Sequence, residues 1–133
     1  MKIKEIAAAL EEAAPLLLQE SYDNSGLLVG DPEADVRSAL ICVDVTEETV
    51  AEAAALGAGL ILSHHPVIFH PLRHLTGSTY IERAVGESLR HGIALYACHT
   101  NLDSAPGGMS RMLGNLLGLR NMRVLDPSAK GIP

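Results

Sequence analysis

Tryptophan is absent from this 133-residue chain, phenylalanine occurs once, at Phe69, and tyrosine three times. The core must therefore rest on Leu, Ile, Val and Ala, and few rings are available to stack on nucleic-acid bases. Basic residues are also scarce: 10 Lys plus Arg against 16 Asp plus Glu leave a net charge of −6. Nucleic-acid binders carry a basic patch, so no nucleic-acid partner is expected. A phosphate-bearing small molecule stays admissible, because a metal or a helix N-terminus neutralises it locally. The two cysteines, Cys42 and Cys98, lie in apolar runs without Cys-x-x-Cys spacing and read as buried, reduced thiols. No run reaches the roughly 20 apolar residues of a membrane span, and Glu11 and Glu12 interrupt the N-terminal stretch before any cleavage-site pattern. The expectation is a cytoplasmic protein with no membrane association.

What remains is a chain with 47% apolar and 20% charged residues, a balance that excludes disorder and fits one domain around a single core. Ile3, Ile6, Ala7, Leu10 and Ala14 recur with a helical period over residues 2–14, and Pro15 stops or bends that helix. Tyr22-Asp23-Asn24-Ser25-Gly26 is turn chemistry, readable as a capped turn, and precedes a short apolar run from Leu27 to Val29. Continuous apolar segments at Ala39–Val43, Leu60–Leu62 and Ile93–Cys98 predict strands. Helices are predicted between them. One is capped by Asp44 or Thr46 and runs to about Leu56; the other opens with the capping box Thr79-x-x-Glu82 and runs to about Arg90. A helix after Pro106-Gly107-Gly108 to about Leu117, and a strand over Met122–Leu125, complete the pattern. Strands alternating with helices indicate an α/β fold: a mostly parallel sheet of about four to five strands with helices on both faces. Residues 1–133 read as a single α/β lobe, and the tail from Ser128 to Pro133 as a cut or a loop.

Ligands of an open parallel sheet bind beyond the carboxyl ends of its strands. The polar residues that follow successive strands are Asp44, then His64 and His65, then His99 and Asp103. This convergence of imidazoles and carboxylates suits a borderline divalent cation such as Zn, Fe or Mn. Neighbours in extended backbone point to opposite sides, and Pro66 favours extended backbone at His65. The expected arrangement is thus two ions, one on each of His64 and His65, bridged by Asp103 at a separation of about 3.5–4 Å. Asp44 and His99 are candidates for proton transfer or for orienting a ligand, although helix capping also accounts for Asp44. His70 and His74 read as loop histidines, His91 as a helix C-terminal cation, and Gly107-Gly108 as a weak phosphate-cradle signal.

The pieces Tyr22-Asp23-Asn24-Ser25-Gly26-Leu27, Val43-Asp44-Val45-Thr46, Ser63-His64-His65-Pro66 with Phe69, and His99-Thr100-Asn101-Leu102-Asp103 with Gly107-Gly108 span nearly the whole chain. In these pieces the sequence resembles the NGG-interacting-factor-three-like proteins, also called GTP cyclohydrolase I type 2-like. Tyr22 departs from that family, where Trp is common. The resemblance implies a dinuclear metal site with His64, His65 and Asp103 as ligands and His99 nearby. It also implies that a His and a Glu from a C-terminal half complete the site, that this chain is the N-terminal part, and that the protein is a homo-oligomer, hexameric in the family. The function it implies is metal-dependent hydrolysis of a small nucleotide-like or phosphorylated substrate. The alternatives are a metal-binding regulatory or metal-handling protein without turnover, acting through protein contacts, and an inert lobe.

Overall fold

A computed structural model gives the fold, and residues 1–124 are described. Helix α1 (Ile3–Ala13) follows the predicted period, and Pro15 turns the chain into a single 3-10 turn over Leu16–Leu18. Strand β1 (Gly26–Val29) comes next, then β2 (Ala39–Cys42), α2 (Glu47–Ala55), β3 (Leu60–Ser63), α3 (Tyr80–Arg90) and β4 (Ala94–Ala97). Two short helices, α4 (Thr100–Ser104) and α5 (Met109–Leu116), close the described chain.

Thr46 caps α2 by accepting from the Thr49 amide, and Thr79 caps α3 by accepting from the Glu82 amide. Asp44 caps neither helix. No strand forms over Met122–Val124, where a last strand was predicted, and Leu125 lies outside the described residues. Apolar propensity over so short a stretch does not by itself hold it extended.

The sheet order is β1-β4-β3-β2. Strands β2, β3 and β4 are parallel and in register, with Leu40 beside Ile61 and Ile61 beside Leu95. Strand β1 runs antiparallel to β4, Gly26 pairing with Ala97. Its direction matters for function: the loop entering β1 lies at the same rim as the loops leaving β3 and β4.

Alternation sends successive side chains to opposite faces. On one face Ile61 and Leu95 pack with Val50 and Ala53 of α2 and Ala84 and Val85 of α3. On the other, Leu60, Ala94 and Tyr96 pack with Ile3, Ile6, Ala7 and Leu10 of α1. Burying a Leu or Ile side chain contributes about 1.5–3 kcal/mol, so these two layers carry most of the fold. Helices do cover both faces, but not completely. Strand β2 is an edge, and its Ile41 is 79% exposed where a buried strand was expected, because α1 covers β3 and β4 and does not reach β2. The two cysteines also depart from expectation. They are free but half-buried, Cys42 on that edge strand and Cys98 just beyond the end of β4. Among the described residues no helix is long and apolar enough to cross a membrane.

Candidate metal centre

The rim is pinned by backbone. The parallel ladder continues past the strands, with the amides of His64 and His65 donating to Cys42 O and Val43 O at 3.2 and 3.0 Å. Ser63, buried at the end of β3, donates its hydroxyl to His65 O at 2.9 Å. This bond closes a bend at residues 64 and 65. Because the backbone is bent there, alternation no longer applies, and the expected divergence of the two imidazoles is not what the fold gives. Their ring centroids lie 4.9 Å apart. His99, delivered by β4, brings its ring to 5.3 Å from His64 and 5.6 Å from His65. One ring nitrogen of each of the three histidines lies within 4.8 Å of the other two.

The hydrogen bonds of these rings decide which nitrogen is free. His64 Nδ1 is 2.9 Å from Cys98 O, and a carbonyl only accepts, so Nδ1 carries the proton. His65 Nδ1 donates to Asp44 Oδ1 at 2.7 Å. His99 Nδ1 donates to Asp23 Oδ1 at 2.8 Å. In the neutral ring this leaves Nε2 with its lone pair, the tautomer required of a metal ligand. Asp103 stands beside this group, its Oδ1 3.9 Å from His64 Nε2. Helix α4 places it there: His99 is the N-cap and its carbonyl accepts from the Asp103 amide at 3.1 Å, so the two residues are one turn apart.

Asn101, between them, is fully buried. Its Oδ1 accepts from the His99 amide at 2.9 Å and its Nδ2 donates to Ala14 O at 2.8 Å, fastening α4 to the end of α1. The His-Thr-Asn-Leu-Asp segment thus holds two site residues at its ends and its own anchor in the middle.

Asp23 is the residue that sequence reasoning passed over as turn chemistry. Its side chain is fully buried. It accepts from His99 Nδ1, from the Thr100 amide at 3.1 Å and from the Thr100 hydroxyl, and also from the Asn24 amide. Burial alone would raise its carboxyl pKa, but the bonds from His99, Thr100 and Asn24 outweigh it and hold the group well below the usual carboxylate range. No local signal marks it: residues after parallel strands point to the rim, whereas the antiparallel β1 brings the residues preceding it to the same rim.

The donor set fits a divalent cation. Nitrogens bound to one zinc-like ion at about 2.0–2.1 Å sit roughly 3.3 Å apart, so three within 4.8 Å need only small shifts to converge. Of the other sequence candidates, His70 is exposed in a loop, and His91 at the end of α3 faces Glu87 at 3.8 Å. The Gly107-Gly108 pair is not an open cradle. The Gly108 amide already donates to Ala105 O at 2.8 Å, and a side chain at Gly108 would strike the Leu102 carbonyl.

Comparison with known proteins gives the following. The family model described as Duf34/NIF3 (NGG1p interacting factor 3) matches residues 1–133. A GTP cyclohydrolase 1 type 2 homolog of Clostridium perfringens is 39% identical over 128 residues, 96% of this chain and 49% of that protein. The NIF3-like protein 1 of Rattus norvegicus is 40% identical over 129 residues, covering 96% of this chain and 34% of the relative. Among solved structures, a Bacillus cereus protein related to NIF3 superposes with a TM-score of 0.89 at 40% identity, over 96% of this chain and 35% of that one. Reduced HcgD from Methanocaldococcus jannaschii superposes with a TM-score of 0.88 at 33% identity, over 96% and 51% respectively. The chain spans about half the length, or less, of the relatives it matches.

Proposed function

The chain belongs to the Duf34/NIF3 family, and on that premise we propose that it is the metal-holding lobe of a divalent-metal-dependent hydrolase acting on a small nucleotide-like or phosphorylated substrate. The observation that carries this reading is the convergence of His64, His65 and His99, each with Nδ1 committed to an acceptor and Nε2 free. His64, His65 and Asp103 would hold the ions, with His99 as a third nitrogen beside them. The chemistry such ions would supply is acidification of a bound water, whose pKa would fall from about 15.7 toward about 7.

The chain's own residues do the rest. Cys98 O, Asp44 and Asp23 orient the three rings, so binding would need only small shifts. Asp44, on the exposed side of His65, is the proposed proton carrier. The names of the relatives point to GTP as a substrate, and nothing among these residues selects a guanine.

A second reading, a metal-binding regulatory protein that works through protein contacts without turnover, draws on exposed apolar surface. Ile41 on β2 and Leu116 on α5 are 79% and 83% exposed, and such surface also suits a homo-oligomer.

Elemental analysis of the purified chain is the first test. About two ions per chain, lost in both His64→Ala and Asp103→Ala, are expected; a chain that takes up no Zn, Mn or Fe overturns the proposal. Metal-dependent turnover across nucleotides and phosphoesters is then expected. A fully metallated protein inert on that panel decides for the regulatory reading.

A further inference from the structure

The chain has four aromatic side chains, three Tyr and one Phe, and two of them stand together beside the histidines. Phe69 lies 6.3 Å from His99, ring to ring, at an interplanar angle of 89°. Tyr22 lies 6.4 Å from Phe69 at 60°, and His70 flanks Phe69 at 5.0 Å. The rings follow one another from the candidate metal centre outward, each tilted or edge-on to the next, and the outermost, Tyr22, is 67% exposed.

A lone exposed tyrosine on a loose loop would need no explanation. This one is held. Its neighbour Asp23 is the buried carboxylate bonded to His99 and Thr100. Asn24 Nδ2 donates to Ile68 O at 2.6 Å, tying the Tyr22 turn to the loop that carries Phe69. The Ser25 amide donates to Gln19 Oε1 at 2.9 Å. The Phe69 loop is fixed in turn, with Val67 buried and Ile68 packed on the core. Two loops separated by more than forty residues in sequence are thus cross-linked so that an exposed ring sits at the edge of the site. A rigid aromatic surface loses little entropy on binding and offers its face to any planar π-system.

We propose that Tyr22 and Phe69 form a stacking wall that selects ligands carrying a planar aromatic ring and seats that ring beside the histidine cluster. The location rests on the proposed metal site; the ring preference does not. The reacting part of such a ligand would face the imidazoles while its ring lies against Tyr22.

The test compares UMP with 5,6-dihydro-UMP, a pair alike in charge and hydrogen-bonding groups but differing in the planarity of the base, by calorimetry with metal-loaded and chelator-treated protein. UMP is expected to bind about fivefold or more tighter than its saturated analogue, the scale of one base stacked on one ring. Tyr22→Ala and Phe69→Leu should abolish the preference, and Tyr22→Phe should keep it. Equal affinity for the two ligands, no detectable binding of UMP, or a preference that survives Tyr22→Ala would each overturn the wall. Metal content is measured on the same samples. Bound metal without a ring preference defeats the wall alone, and a ring preference without bound metal defeats the metal reading alone.

Discussion

His99 and Asp23 are 76 residues apart in the chain, yet Nδ1 of the imidazole donates to Oδ1 of the buried carboxylate at 2.8 Å. That one bond joins the turn before β1 to the end of β4 and commits Nδ1 of His99, and with the bonds from Thr100 and Asn24 it favours the ionised form of the buried Asp23. His65 and Asp44 repeat the bond at 2.7 Å on the exposed side of the site, with Asp44 64% exposed. The contrast between a buried and an exposed version of the same contact makes the site testable piece by piece.

Replacing Asp23 should cost both stability and metal binding. Asp23→Ala strands donors on His99 and Thr100, at about 1–3 kcal/mol for each buried group left without a partner. Metal affinity should fall about 10–100-fold as His99 loses its orientation. Chemical denaturation and cobalt titration read the two effects. Unchanged values in both would remove Asp23 from the site.

At Asp44 the two effects should separate. The carboxylate and His65 are both largely exposed, so Asp44→Asn should change stability by less than about 1 kcal/mol. Metal affinity should still drop about tenfold or more, since the bond that orients His65 is weakened. A loss of stability equal to that of the Asp23 variant would contradict this assignment.

The adjacent glycines offer a paired control. A Cβ at Gly108 would collide with the Leu102 carbonyl, so Gly108→Ala should destabilise by about 1–3 kcal/mol and disturb the helix that carries Asp103. At Gly107 nothing lies within 4 Å of an added Cβ, and Gly107→Ala should be neutral or stabilising by up to about 1 kcal/mol. Thermal unfolding of the two variants side by side is the measurement, and similar melting temperatures would count against the close-approach argument.

Acid should loosen the start of α3. Glu82 accepts from the Thr76 amide at 2.8 Å, the Thr76 hydroxyl at 2.9 Å, the Ser78 amide at 3.1 Å and the Thr79 hydroxyl at 3.3 Å. Those bonds, the Thr76 amide foremost, lower its pKa from the ordinary 4.5 to about 2. A carboxylate depressed on folding contributes fully above its unfolded value and loses that contribution as pH falls through the folded one. The stability advantage of wild type over Glu82→Gln should therefore be present at pH 6 and shrink steadily between pH 4.5 and about 2. Urea denaturation across that range measures it; a difference independent of pH would show that the charge is not what the loop binds.

Much of the architecture was legible because local signals agreed with the global fold. Thr46 and Thr79 start their helices where cap chemistry said they would, and the continuous apolar runs at Leu60 and Ala94 became the central strands. Rim chemistry was legible for the same reason, since a residue after a parallel strand can go only one way. Asp44 was ambiguous in sequence, capping and site roles being equally compatible with its position; the fold gives the cap to Thr46 and Asp44 to His65. The alternation argument failed at His64-His65 because it presupposes extended backbone, and the Ser63 hydroxyl closes a bend there.

The sequence by itself determined the α/β class, the approximate positions of the central strands and the histidines and carboxylates that follow them, because periodicity, capping and the direction of parallel strands are properties of short stretches of chain. Only the tertiary structure decided that β1 runs the other way, that Asp23 is thereby buried against His99, and that three imidazoles gather with a ring nitrogen of each close together. Those are contacts between residues tens of positions apart, and they are set by how whole layers pack, which no local pattern encodes.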